Sequence, residues 1–422
     1  MRVLLFEPQF AGHNLVYIRH LIEALCALGV DVTLQTSRQA TESEEFTKHL
    51  GAFDGNFDVL ESDLFDLSKT GGVRVNGPAG LFSSLRTILD GLKTIKPDHF
   101  YVPFGNPLAH ALGLPNPISK YLRQEGIEAE IVLLFGKYAY KHNDLASKAK
   151  QELALQLLAK GPWTRIHHIV PHAIEVMHSH SLRLRSCSHL LADPVDPPPQ
   201  MSRAQARELL GIDPNSKILS LIGLIDQRKG ISDLLAAAER MAQDAPPEMK
   251  ILLAGKNSLE ARQLLAGKHR SLVESRRVIV LDRHLSQPEL WAACVASDVI
   301  TTPYPNHRYS ASILIRAASV GVPVLANAIG WMEDVTHRYG LGWTCDTRDP
   351  CVFSTAIRHV MTHLDGYVPG PESKGFVKFH SLSNFQQQMT CRIQERMALG
   401  GSSTVPNVAD FSEFSSKRSK LA

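Results

Sequence analysis

The sequence predicts an α/β fold of parallel sheets in two domains, and three observations carry that reading. Short apolar runs alternate with longer helical patterns along the chain, the signature of strands joined by crossover helices. The 422 residues exceed one ordinary core and suit two domains of roughly 200 residues each. The alternation stops at Asp193-Pro194-Val195-Asp196-Pro197-Pro198-Pro199 and restarts beyond Ser202-Arg203. Prolines at that density remove backbone donors and resist helix and sheet alike.

In the first half, strands are expected at Val3–Phe6, Val30–Gln35, His99–Pro103, Glu130–Phe135, His168–Val170 and His189–Ala192. The first helix is expected from Asn14 to Leu28: Leu15, Ile18, Leu21, Ile22 and Leu25 fall on one face and Gly29 ends it. In the second half, strands are expected at Lys217–Ile222, Lys250–Ala254, Arg277–Leu281, Val299–Thr302, Val322–Ala326 and Gly342–Cys345. Two such cycles describe two Rossmann-like domains facing a cleft, residues 1–195 and 196–375. Residues 376–398 read as a terminal helix crossing back to the first domain. Residues 399–422, rich in Gly, Ser and Lys, read as a disordered tail.

Composition narrows the function classes. A formal charge of +3 with no long basic run gives no basis for a nucleic-acid partner. The apolar start of MRVLLFEPQFAG meets Glu7 and Pro8 at once, unlike a signal peptide, and no apolar stretch approaches the ~18 residues of a membrane span. The six cysteines form no C-x-x-C pair, so neither zinc nor a disulfide framework is indicated. A cytoplasmic protein is expected, with peripheral contact at the inner face of a membrane as a companion expectation. The histidines of IHHIVPHAIEVMHSHS lack metal-ligand spacing and read as a surface helix. The Lys- and Leu-rich stretch from Tyr138 to Trp163 reads as a solvated amphipathic helix, or else one lying on a membrane.

Ligands of open parallel sheets sit at the carboxyl ends of strands, so the loops that follow strands carry the chemistry. Gly12-His13-Asn14 follows the first strand: either small residues approach a ligand there with His13 projecting as a catalytic candidate, or Asn14 caps a tight turn. Gly223 ends the first strand of the second half, and Arg228-Lys229-Gly230 precedes a helix. Lys229 there is a diphosphate-holding point charge or a solvated loop lysine. The third loop is PNHRYSASILIRAASVGVPVLAN, with Ser310 and Ser312 around a helix start and Ser312 and Arg316 on one helical face.

In order and spacing, these stretches resemble the retaining glycosyltransferases of the GT-B fold, of the family 4 type. The resemblance runs through "KILLAG", "QPELWAACVASDVITTPY" and "GVPVLAN…GW…DV" over most of the second domain, and more loosely through the first loop and "DPVDP". It implies nucleotide-sugar binding in the second domain and an acceptor, a glycan, a lipid or a small molecule, at Gly12, His13 and Asn14 in the first. It implies a UDP- or GDP-linked donor as substrate, no cofactor and no required metal. Lys229 falls on the family's diphosphate lysine.

Departures from the family pattern are concentrated at the donor site. The arginine normally five residues before that lysine is Leu224, and the family's two glutamates eight apart fall on Arg308 and Arg316. Arginine donates and cannot accept from sugar hydroxyls, but it grips phosphate bidentately. The family's histidine after the "PD" of Pro97-Asp98 is not recognisable. The expected donor set is therefore Lys229, Arg228, Arg316, Arg308, Ser310 and Ser312 for the diphosphate, with Gly223, Glu333 and Asp334 for sugar and nucleotide. A GT-B-fold binding or partner protein without catalysis is the alternative, and a nucleotide-sugar epimerase a third.

Overall fold

The computed structural model describes residues 1–10, 14–53, 55–62, 77–106, 108–134, 144–242 and 244–400. Gly12, His13, residues 69–76, Tyr138 to Lys141 and the tail from 401 on lie outside the described residues. The chain divides into two compact units, Met1–Ala192 with the chain from Phe385 onward, and Asp193–Asn384.

The first unit is built on a seven-stranded parallel sheet in the order β3-β2-β1-β4-β5-β6-β7. Its strands are β1 (Arg2–Phe6), β2 (Asp31–Ser37), β3 (Asp58–Ser62), β4 (His99–Val102), β5 (Glu128–Leu133), β6 (Arg165–His168) and β7 (Ser188–Leu190). Helices on both faces bury the central strands completely, which is why they read as continuous apolar runs. Edge strand β3, DVLES, stays largely exposed and carries no such run, so it is absent from the expected set. Strand β6 begins at Arg165, ahead of the expected His168, because Pro171 opens a helix (Pro171–His180) directly after it. His167 and His168 therefore lie in a buried strand, not on a surface helix.

The single helix expected over 376–398 is two, Ser373–Phe379 and Leu382–Gly400. The break has a local cause: the carbonyl of His380 accepts the Val195 N–H at 3.2 Å, and Val195 bridges Ser381 in parallel. From Phe385 the second helix packs within the first unit. Phe385 meets Tyr17 edge-on at 5.3 Å, Tyr101 Oη donates to the Met389 carbonyl at 2.8 Å, and Gln388 Oε1 accepts from Ala192 N at 2.9 Å.

That helix covers an unusually polar face of the sheet. Glu130 pairs with Tyr101 and His99 neighbours it through β4, while His167 Nε2 sits 2.7 Å from Glu130 Oε2. Burial disfavours the imidazolium, so His168 and His189 are each pushed down to about 3. Between pH 3 and 6.5 the folded chain then binds fewer protons than the unfolded one, so stability rises with pH through that window. The melting temperature is expected to fall as pH drops below about 6.5, and less steeply in a His189→Gln variant. Equal acid slopes for the two proteins would contradict this.

The second unit carries a six-stranded parallel sheet in the order β10-β9-β8-β11-β12-β13. These are β8 (Lys217–Ile222), β9 (Met249–Ala254), β10 (Val278–Leu281), β11 (Val299–Thr302), β12 (Val324–Asn327) and β13 (Gly342–Cys345). Capping boxes start two of its helices, Ser202 with Gln205 and Ser286 with Glu289, each satisfying otherwise orphaned N–H donors. Asp298, in the ASDV stretch, ties the amino end of the sheet together. It accepts from Arg203 at 2.6 Å, from Arg207 at 2.8 Å and from the Ile218 N–H at 2.7 Å. Among the described residues, no helix is long and apolar enough to cross a membrane.

Candidate functional site

In the second unit the strand order reverses between β8 and β11, the switch point where open sheets take ligands. Three helices begin at this carboxyl end: Ile231–Met241, Ser312–Ser319 and Gly330–Tyr339. Their N-caps Gly230, Ala311 and Ile329 make no side-chain cap hydrogen bond. N-termini without a side-chain cap leave backbone N–H groups and the positive ends of helix dipoles for other partners, a setting that favours anions; of these N–H groups, that of Trp331 is taken by the Arg308 carbonyl.

Two buried cations accompany them. Arg316, on the helix Ser312–Ser319, is only 9% exposed, and its Cζ lies 4.7 Å from the centroid of the Trp291 ring. Its Nη1 has no hydrogen-bond partner, and no hydrogen bond from its guanidinium is made among the described residues. Burial lowers its pKa, while Cys294, Asp196 and Asp193 act in the opposite sense. A buried donor left without an acceptor costs the fold free energy, so this guanidinium is poised for an anion.

Lys229 is buried, so it is not the solvated loop lysine that the sequence left as one of two readings. Its Nζ donates to the Ile222 carbonyl at 2.5 Å and lies 5.5 Å from the Tyr304 ring centroid. The ammonium occupies the space that a Cβ on Gly223 (φ 105°) would fill, so Gly223 is there to let the lysine fold back against the strand end. Burial first, and Arg228 second, push Lys229 down to about 8. Gly230, at φ 75°, lets the chain turn where a side chain would collide with the Pro303 carbonyl.

The other expected residues are arranged as follows. Arg228 is exposed and pairs with Asp226 at 3.5 Å. Arg308 is exposed, its carbonyl accepting the Trp331 N–H at 3.2 Å. Ser312 opens its helix and is exposed. Ser310 does not face a ligand freely: its Oγ donates to Asp193 Oδ2 at 2.6 Å. Glu333 lies in the first turn of Gly330–Tyr339 and Asp334 directly after it, half-buried and exposed respectively. Leu224 is 48% exposed.

In the first unit the switch point lies between β1 and β4. Asn14 begins the helix Asn14–Ala27 there. Sequence reasoning missed Glu7, the residue directly after β1. It is 1% exposed, its Oε1 accepts the Gln9 N–H at 2.9 Å, and burial pushes it up to about 8. An acid at the carboxyl end of a buried strand was the available signal. Because the folded pKa is raised, the folded chain holds a proton the unfolded chain has lost between pH 4.5 and 8, and stability drains away as pH rises. Glu7→Gln should melt like wild type at pH 5 and be more stable at pH 9 by ~4 kcal/mol. An equal melting temperature at pH 9 would contradict a protonated Glu7.

Comparisons with known proteins bear on the second unit and on the fold. Residues 216–363 match the family model described as Glycosyl transferases group 1. A D-inositol 3-phosphate glycosyltransferase of Corynebacterium diphtheriae is 28% identical over 171 residues, 39% of this chain and 39% of that protein. The relative of that name from Geodermatophilus obscurus is 30% identical over 172 residues, 39% of this chain and 37% of its own length. The chain thus aligns with well under half the length of these curated relatives. Among solved structures, sucrose-phosphate synthase from Thermosynechococcus elongatus aligns with a TM-score of 0.68 at 16% identity, over 94% of this chain and 100% of that one. Anabaena HepE in complex with UDP aligns at 0.66 and 12% identity, over 94% and 100%. At these identities the likeness shows the fold alone, the α/β architecture of GT-B proteins; the family match is confined to residues 216–363.

Proposed function

We propose that the chain is a glycosyltransferase that moves a sugar, a hexose in the simplest case, from a UDP- or GDP-linked donor to a glycan, lipid or small-molecule acceptor. The observation that carries the proposal is the buried Arg316 with its unpartnered Nη1 beside the uncapped helix Ser312–Ser319. Arg316 binds the diphosphate, Lys229 and Arg308 add positive charge, and the Ser312 N-terminus supplies backbone donors. Charge develops on the diphosphate as the glycosidic C–O bond breaks, and preorganised cations stabilise it. With that charge supplied by side chains and helix ends, no metal is required.

Retention follows in this reading from front-face departure. The anomeric carbon leaves the phosphate oxygen and bonds the acceptor oxygen on the same side, and the acceptor proton passes to the departing diphosphate. The acceptor is met by Gly12, His13 and Asn14. Action in the cytoplasm, at the inner face of a membrane when the acceptor is a lipid, goes with this reading.

A thermal-shift screen with UDP-, GDP- and ADP-sugars tests it. A ligand at about 100 times its Kd adds about 2.7 kcal/mol, a clear rise in melting temperature for one base. The second reading, a binding or partner protein without catalysis, draws on Lys229 being turned onto the Ile222 carbonyl and on the exposed Leu224 in the family's arginine position. No shift with any nucleotide favours it.

A further inference from the structure

The cations of this site share one chemical limit. Arg228, Lys229, Arg308 and Arg316 donate hydrogen bonds and cannot accept them, whereas a nucleotide sugar also presents hydroxyls that need acceptors. His307 is built to be one. Its Nε2 stands 2.8 Å from the Ser310 carbonyl. A carbonyl oxygen only accepts, so Nε2 carries the hydrogen, and in the neutral ring Nδ1 holds the lone pair. That Nδ1 makes no hydrogen bond among the described residues.

The ring is held from several sides. Tyr304 and Tyr309 clamp it edge-on, with centroids 5.6 and 5.8 Å away. Ser310 is itself fixed by its Oγ donating to Asp193 Oδ2 at 2.6 Å, and Asp193 is anchored by its N–H to His380 Nδ1 at 3.1 Å. Tyr304 is also the ring beside Lys229 Nζ, so the imidazole and the buried ammonium share one aromatic neighbour. Burial lowers the pKa of His307, helped by Arg228 and Lys229 and opposed by the Ser310 carbonyl and Asp193. The neutral tautomer is therefore the resting form.

We infer that His307 Nδ1 accepts a hydrogen bond from a hydroxyl of the bound nucleotide sugar, with Ser310 and Asp193 as positioning residues that fix its tautomer. The inference rests on the reading of this site as a donor site. The hydroxyl belongs either to the sugar or to the ribose, and the choice of ligands separates the two.

The test is calorimetry of wild type and His307→Gln with inorganic pyrophosphate, UDP, GDP, UDP-glucose and GDP-mannose from pH 8 to 5.5. Glutamine keeps an N–H within reach of the Ser310 carbonyl and has no acceptor at the Nδ1 position. At pH 8 the variant should bind pyrophosphate like wild type and the nucleotide sugar about tenfold more weakly. A loss already present with the nucleoside diphosphate assigns the ribose, and a loss confined to the nucleotide sugar assigns the sugar. Burial keeps the ring neutral to lower pH than a free imidazole, so the wild-type advantage should persist at mildly acidic pH and shrink only once the imidazole protonates and Nδ1 becomes a donor. The ratio of the two proteins at each pH cancels the ligand's own titration. Equal affinities for every hydroxyl-bearing ligand would overturn the inference while leaving the donor site standing. Wild-type protein that binds none of the nucleotides contradicts the donor site itself, and this inference with it.

Discussion

Arg316→Met is expected to abolish donor binding and turnover while leaving the fold as stable as wild type, or more stable. Two buried hydrogen bonds from a guanidinium to a diphosphate are together worth about 3 kcal/mol or more, which is a loss of about 100-fold or greater in affinity. Without ligand the same group works against the fold: a desolvated cation with Nη1 unpartnered is a penalty that an apolar side chain of similar length removes. Methionine also keeps contact with the Trp291 ring. Binding and melting temperature should therefore move independently. A variant that loses both in parallel would mark Arg316 as a structural residue. A variant that binds UDP- and GDP-sugars like wild type would place the diphosphate elsewhere.

Asp298→Ala is expected to cost ~3–5 kcal/mol, because removing one partner of a buried ion pair leaves the other charge uncompensated. Arg207 is 5% exposed and would keep its guanidinium there without Asp298, and the Ile218 N–H would lose its acceptor as well. Urea unfolding should show a lower midpoint with an unchanged slope. A loss within ~0.5 kcal/mol, the range of ordinary surface substitutions, would contradict this assignment. The residue lies at the amino end of the sheet, away from the carboxyl-end site, so donor affinity of the folded variant should be retained.

The legible part of the sequence was what local pattern dictates. Central strands such as KILSLI are buried on both faces, so their apolar runs announce them, and the end of each strand points to the loop that matters. Arg316 could be placed on a helix beside Ser312 by spacing alone. What spacing could not show is where side chains turn. Arg316 is buried because Trp291, on another helix, receives it. Lys229 folds inward because Gly223 leaves room at the strand end. His307 and Glu7 escaped notice for a related reason: the pKa of each is shifted by burial, which the pattern of neighbouring residues does not show. The break at His380 likewise goes with a contact to Val195, far away in the sequence.

The most direct test of sugar transfer is incubation of the wild-type chain with labelled UDP- and GDP-sugars in the presence of a metal chelator, following release of the nucleoside diphosphate. The account predicts diphosphate release for one donor, undiminished by the chelator and lost in Arg316→Met. No release from any donor, or release that depends on added divalent metal, would contradict it.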